Sequence, residues 1–161
     1  MDKLFQQAVE LRKSGKVKEA LNIFKELLDD HPYHAEVHYQ YAWCCDLLGE
    51  ESSAVPYYEK AIALGLTDES LKGAMLGLGS TFRTLGKYEQ SKKILEQAID
   101  HFPDQIQFQV FYAMTLYNVQ EHTKAMNLLL KCITNTTQDE EILAYKNAIN
   151  FYADKLDQVW D

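Results

Sequence analysis

Several things are scarce in this chain of 161 residues, and each scarcity excludes something. Three prolines and seven glycines leave no material for a flexible linker or a low-complexity tail. The three cysteines are Cys44, Cys45 and Cys132, an odd number with two adjacent and no C-x-x-C, which argues against a disulfide framework. Small buried thiols in a reducing cytoplasm are the expectation. Cations are outnumbered, 16 Lys and Arg against 24 Asp and Glu for a net charge of -8. A nucleic-acid partner is disfavoured on that ground, because such binding rests on clustered Lys and Arg. No run approaches the roughly 18 apolar residues of a membrane span, and Met1 to Phe5 lead straight into an amphipathic stretch without a signal-peptide layout. No G-x-x-x-x-G-K-[ST] phosphate loop occurs, the Gly77-Leu78-Gly79 pair sits mid-helix, and no segment alternates with a period of two.

What the chain does have is a repeat. Gly15, Ala20, Phe24 and Leu27 recur 34 residues on as Gly49, Ala54, Tyr58 and Ala61. They recur after a further 37 as Gly86, Ser91, Leu95 and Ala98, and after another 34 as Gln120, Ala125, Leu129 and Cys132. A period of this length marks a stacked helical repeat. Within each copy the apolar residues fall at helical spacing, as Leu4, Phe5, Ala8, Val9 and Leu11 do before Gly15, and Ala20, Leu21, Phe24, Leu27 and Leu28 after it. The glycine ends the first helix of each pair in the left-handed conformation. In the fourth copy Asn118 or Gln120 must take that role, with asparagine the more tolerant.

Nine helices are expected, in four pairs plus one: an all-α chain. Four repeats cover about residues 1–34, 35–68, 69–105 and 106–139, and a last helix runs over about 138–160. Pro56 is expected in the first turn of its helix, with Ser52 or Ser53 as N-cap. Thr67 caps the third repeat, whose extra Glu69-Ser70-Leu71 should lengthen its first helix by about one turn. Thr137 to Glu140 reads as a capping box opening a helix of about 20 residues. Ile142, Tyr145, Ile149, Tyr152, Leu156 and Val159 make its buried stripe.

These residues resemble the tetratricopeptide repeat family, whose unit is two antiparallel helices with small residues at their crossing. Ala8, Ala42, Gly79 and Ala113 hold those places on the first helices, and Ala20, Ala54, Ser91 and Ala125 on the second. Helix axes about 8–10 Å apart leave room for little more than a methyl group. The family's common tryptophan is replaced by Leu4, His38, Met75 and Gln109. Its terminal proline survives as Pro32 and Pro103 but is Leu66 and Thr137 elsewhere. The resemblance implies a right-handed superhelix whose first helices line a concave groove.

In repeats like these the groove would be lined by Phe5, Val9 and Arg12, by Tyr39, Trp43 and Asp46, by Leu76, Ser80 and Arg83, and by Val110, Met114 and Tyr117. Its basic and acidic residues balance and its centre is apolar and aromatic. Trp43 is either the anchor of a binding site or packing against a neighbouring helix. The lysine-rich clamp by which some family members hold a terminal carboxylate would fall at Phe5, Val9, Gln40, Gly73 and Gly77, none of which is basic.

Two further groups carry weight. His31, His34 and His38 have a spacing that can chelate a metal, but no Cys or carboxylate completes the set, and turn histidines are the better reading. Leu143, Phe151 and Trp160 fall off the stripe of the last helix and point to contact with another chain. The expected function is therefore a non-catalytic cytoplasmic scaffold without cofactor or metal, whose groove binds a protein or peptide with apolar anchors. The alternative is a homodimer that buries the groove, the last helix, or both.

Overall fold

A computed structural model describes residues 1–161 as ten α-helices and no strand. The first eight are α1 (Asp2–Lys13), α2 (Val17–Asp30), α3 (Ala35–Leu47), α4 (Glu51–Leu64), α5 (Asp68–Thr84), α6 (Tyr88–His101), α7 (Ile106–Asn118) and α8 (His122–Thr136). They match the four expected pairs. Two short helices follow, α9 (Glu140–Ala144) and α10 (Lys146–Tyr152). The residues group into two compact units, Met1–Ile94 and Leu95–Asp161.

The turns inside the pairs obey one local rule. Gly15, Gly49 and Gly86 all have positive φ, as does Gln120 at 63°. Each time the residue after the turn bonds back to the carbonyl of the third residue from the end of the helix: Lys16 N–H to Leu11 O at 2.9 Å, Glu50 to Cys45 at 2.9 Å, Lys87 to Phe82 at 2.8 Å, Glu121 to Leu116 at 2.9 Å. This closes the orphan carbonyls of the first helix. Of the two candidates in the fourth turn, glutamine takes the left-handed conformation, because the register of that closure puts position 120 there whatever its side chain.

In the first unit one core layer joins Ala8, Val9, Ala20, Phe24, Leu27, Val37 and Cys44, and the next joins Tyr39, Ala42, Cys45, Ala54, Tyr58, Ala61, Ala74, Leu78 and Phe82. The adjacent cysteines thus belong to different layers, one on each side of α3. A helix packed on both flanks needs apolar residues on more than one stripe, and α3 supplies them. Burial pushes the Cys44 thiol up to about 11 and that of Cys45 to about 12. All the small residues of the crossings are buried. Ser91 is satisfied there by donating its hydroxyl to Gly79 O at 2.7 Å, which ties α6 to α5. As expected, Thr67 caps α5, accepting from Ser70 N–H, and α5 runs 17 residues against 13 in α3 and α7.

In the second unit Ala113, Leu116 and Ala125 form the α7–α8 contact. Phe102 stacks on Phe108 at 6.0 Å, and the Tyr112 hydroxyl donates to Glu96 Oε1 at 2.6 Å.

Three expectations need correction. Pro56 stands at the sixth position of α4, whose N-cap is Glu50, so neither Ser52 nor Ser53 caps it. The turn closure after Gly49 starts the helix earlier, and the proline is tolerated on an exposed face. The C-terminal helix of about 20 residues is instead α9 and α10, parted at Tyr145 and ended at Tyr152. Its cap is Asp139, which accepts from Ile142 N–H at 3.0 Å, while Thr137 accepts from Asp139 N–H at 3.1 Å. The buried stripe is also displaced. Tyr145, Tyr152, Leu156 and Val159 are exposed, Ala153 is fully buried, and Ile142, Lys146, Ile149 and Asn150 are partly covered. Asn150 explains the choice, since its Oδ1 accepts a 2.8 Å bond from the buried Thr134 hydroxyl of α8. A polar pair fixed the rotation that apolar spacing alone could not.

Candidate interaction surface

The first unit brings one set of side chains from α1, α3 and α5 together. Tyr39, Trp43 and Asp46 lie three or four apart on α3, hence on one face. The Arg12 guanidinium, from α1, lies 3.6 Å from the centroid of the Trp43 ring. Its Nε donates to Gln40 Oε1 at 3.0 Å, and Gln40 Nε2 in turn donates to Glu36 Oε1 at 3.0 Å. Tyr39 stacks on Trp43 with centroids 5.7 Å apart. Trp43 is packed against the second core layer yet only partly buried.

The Tyr39 ring ends on α5, where a Cβ added to Gly73 would meet its hydroxyl at 2.0 Å. One turn on, a Cβ at Gly77 would meet the Tyr58 hydroxyl at 2.5 Å. The two glycines are the sockets in which the tyrosines of α3 and α4 end. Burial raises the Tyr39 pKa to about 12, with Glu36 adding and Arg12 opposing. Tyr58 is raised further by burial and by Asp46.

Asp46 is the junction of three helices. Its Oδ2 accepts from the Tyr58 hydroxyl of α4 at 2.7 Å, and both oxygens are 2.9 Å from the Thr81 hydroxyl of α5. Burial lifts its pKa above the ordinary 3.8, partly offset by those hydroxyls. With Glu51, Ser80, Thr81 and Thr84 it lines a cleft of about 160 Å³.

The remaining expected groove residues are distributed as follows. Phe5 is partly buried and meets Phe24 edge-on at 5.8 Å, and Val9 and Tyr39 are buried in the core layers. Leu76 and Arg83 are partly buried, and Ser80 opens on the cleft. In the second unit Val110 and Met114 are partly buried, and Tyr117 is 64% exposed beside His122. Leu143 (41%), Phe151 (49%) and Trp160 (52%) are exposed. Phe151 and Trp160 meet at 5.8 Å, with Tyr152 against both.

The histidines are accounted for locally. His34 Nδ1 caps α3 by accepting from Val37 N–H at 3.3 Å, and His38 Nε2 bonds Pro32 O at 2.9 Å. His38 is buried, so it is a packed residue and not the exposed turn histidine expected. Sequence reasoning missed Gln40, Tyr58 and Thr81 as partners of Arg12 and Asp46. The i, i+4 spacing of Glu36 and Gln40 was a signal for one of these contacts; nothing in the sequence marked Thr81.

Helix-turn-helix units closed by the same turn four times, with small residues at every crossing, define a helical-repeat protein. The chain belongs to the tetratricopeptide repeat family, whose "Tetratrico peptide repeat" model matches residues 35–156. It is 26% identical over 91 residues to superkiller protein 3 of Saccharomyces cerevisiae, a stretch that is 56% of this chain and 6% of that protein. Among solved structures, MamA of Desulfovibrio magneticus RS-1 superposes with a TM-score of 0.74 at 18% identity, over 94% of this chain and 85% of that one. YrrB, described as a tetratricopeptide repeat protein with an unusual peptide-binding site, superposes with a TM-score of 0.72 at 16% identity, over 95% and 80%. These likenesses place the fold in the α–α superhelix class of such repeats. The family as a whole is one of protein–protein interaction scaffolds. No helix here is long and apolar enough to cross a membrane.

Proposed function

We propose that the face shared by α1, α3 and α5 binds an extended or helical peptide of a partner protein, without catalysis. The observation that carries this reading is Trp43, an aromatic left partly open at the centre of a face whose other large side chains are pinned. Large aromatics with a fixed surround bury area on binding at little conformational cost. That YrrB, of the same fold, has a peptide-binding site supports the comparison. We read residues 1–161 as four repeats and a C-terminal segment, acting in the cytoplasm, where buried free thiols persist.

The test is selection of binders from a displayed library of random peptides. Peptides should emerge whose affinity falls roughly 30-fold on Trp43→Ala, the scale of an interface hot spot, while far-ultraviolet circular dichroism is unchanged. Peptides indifferent to Trp43→Ala, or unfolding of the variant, would assign Trp43 to packing and sink the reading.

A second reading is self-association through the C-terminal segment. It is favoured by the exposed cluster of Phe151, Tyr152 and Trp160, with Leu143 nearby in sequence. Sedimentation across dilution should then show a dimer that Trp160→Ser weakens. A monomer at high micromolar concentration would remove it.

A further inference from the structure

Arg12 is a buried cation without an anion. The residue is only 9% exposed, yet no carboxylate lies within ion-pairing reach of it. Its Nε is taken by Gln40 and its plane lies against Trp43. Glu36 reaches it only through the Gln40 amide. That leaves the donors of the two terminal nitrogens at the surface of the face described above. An unpaired buried charge is costly, and a chain with 24 acidic residues and a net charge of -8 has not placed one there. The indole and the amide together hold the guanidinium plane, so its fork is already oriented for two parallel bonds to a carboxylate.

We propose that the free edge of Arg12 is a subsite for an aspartate or glutamate side chain of the bound peptide, with the Trp43 ring flanking it. The inference rests on the peptide-binding reading of this face and adds the chemistry of the ligand. It also orients the ligand. Asp46, one turn further along α3, is a carboxylate already taken by the Tyr58 and Thr81 hydroxyls and repels a second one, so the acidic residue must lie on the α1 side. The net-neutral ligand that groove composition alone would suggest becomes one with a required acid.

The same displayed library is the probe. Selected peptides should share an acidic position, and changing that residue to its amide should weaken binding to the unaltered protein at least 10-fold. Arg12→Gln should weaken the acidic peptide by a similar factor, and the two changes together should cost no more than either. Arg12→Lys, which keeps charge but loses the fork, should recover only part. An amide change that costs the same on Arg12→Gln as on the unaltered protein would overturn the subsite. So would peptides that need Trp43 but show no acidic position, and that outcome leaves the groove itself standing. A library yielding nothing dependent on Trp43 would defeat both. Should Arg12→Gln unfold, the peptide-side amide change measured on Arg12→Lys decides, since a cost undiminished there refutes recognition by the fork.

Discussion

Replacing Gly77 by alanine tests whether the α5 glycines are sockets or ordinary helix residues. In an uncrowded helix the change stabilises by about 1 kcal/mol through propensity. Here the new Cβ would stand 2.5 Å from the Tyr58 hydroxyl, 2.6 Å from Cζ and 2.9 Å from Cε1. Tyr58 cannot swing away freely: it is 2% exposed, and its hydroxyl is held 2.7 Å from Asp46 Oδ2. Overpacking of a filled site costs about 1–3 kcal/mol, and loss of a hydrogen bond to a charged group about 1.5–3 kcal/mol. After the propensity gain, a net destabilisation of about 3 kcal/mol is expected. Urea unfolding followed by circular dichroism would read it. In a Tyr58→Ala background the socket is empty, and Gly77→Ala should there be neutral or stabilising, a coupling of the kind contacting residues show. A stabilisation of about 1 kcal/mol in the unaltered protein would refute the packing argument.

Gln120→Gly should raise stability by about 1 kcal/mol, seen as a Tm increase of roughly 2–4 °C, because a left-handed residue loses its Cβ strain. Gly49→Ala should do the reverse, as no atom lies within 4 Å of the added Cβ and only backbone strain is at issue. Asp46→Asn should change the pH dependence of unfolding in a definite direction. The folded pKa of Asp46 lies above 3.8, so its contribution to stability is fully present below that value and declines as pH rises through the raised folded value. The unaltered protein should therefore lose ground to Asp46→Asn on going from acid to neutral pH, and an unchanged difference would contradict the burial of this carboxylate.

The parts of the fold legible in the sequence are those that one residue decides locally. Gly15, Gly49 and Gly86 announce turns because the left-handed backbone excludes most side chains, and Ala8, Ala20, Ala42 and Ala54 announce crossings because the space admits a methyl group. The C-terminal segment was less legible because two helical stripes were available, and the bond between Thr134 and Asn150 chose the less apolar. Pro56 misled for a related reason: the turn after Gly49 sets where α4 begins, and the serines that could have capped it were already inside. Of the site, Trp43 and Arg12 could be assigned to a face by register, but their contact could not, since it depends on how α1 lies against α3.

Why this face should be so heavily cross-linked follows from what holds it. Trp43 is flanked by Arg12 from α1 and by Tyr39, Tyr39 ends on Gly73 of α5, and Asp46 joins α3 to α4 and α5 through two hydroxyls. A connected polar network adds little net stability, because each bond replaces one to water. What it supplies is position: if the proposed peptide binds here, none of these side chains has to be ordered on its arrival, and that part of the entropic cost of binding is removed beforehand. Apolar residues at the same places could have held the helices together equally well. They would not have left a guanidinium and an indole fixed side by side, the pair on which the proposed peptide site rests.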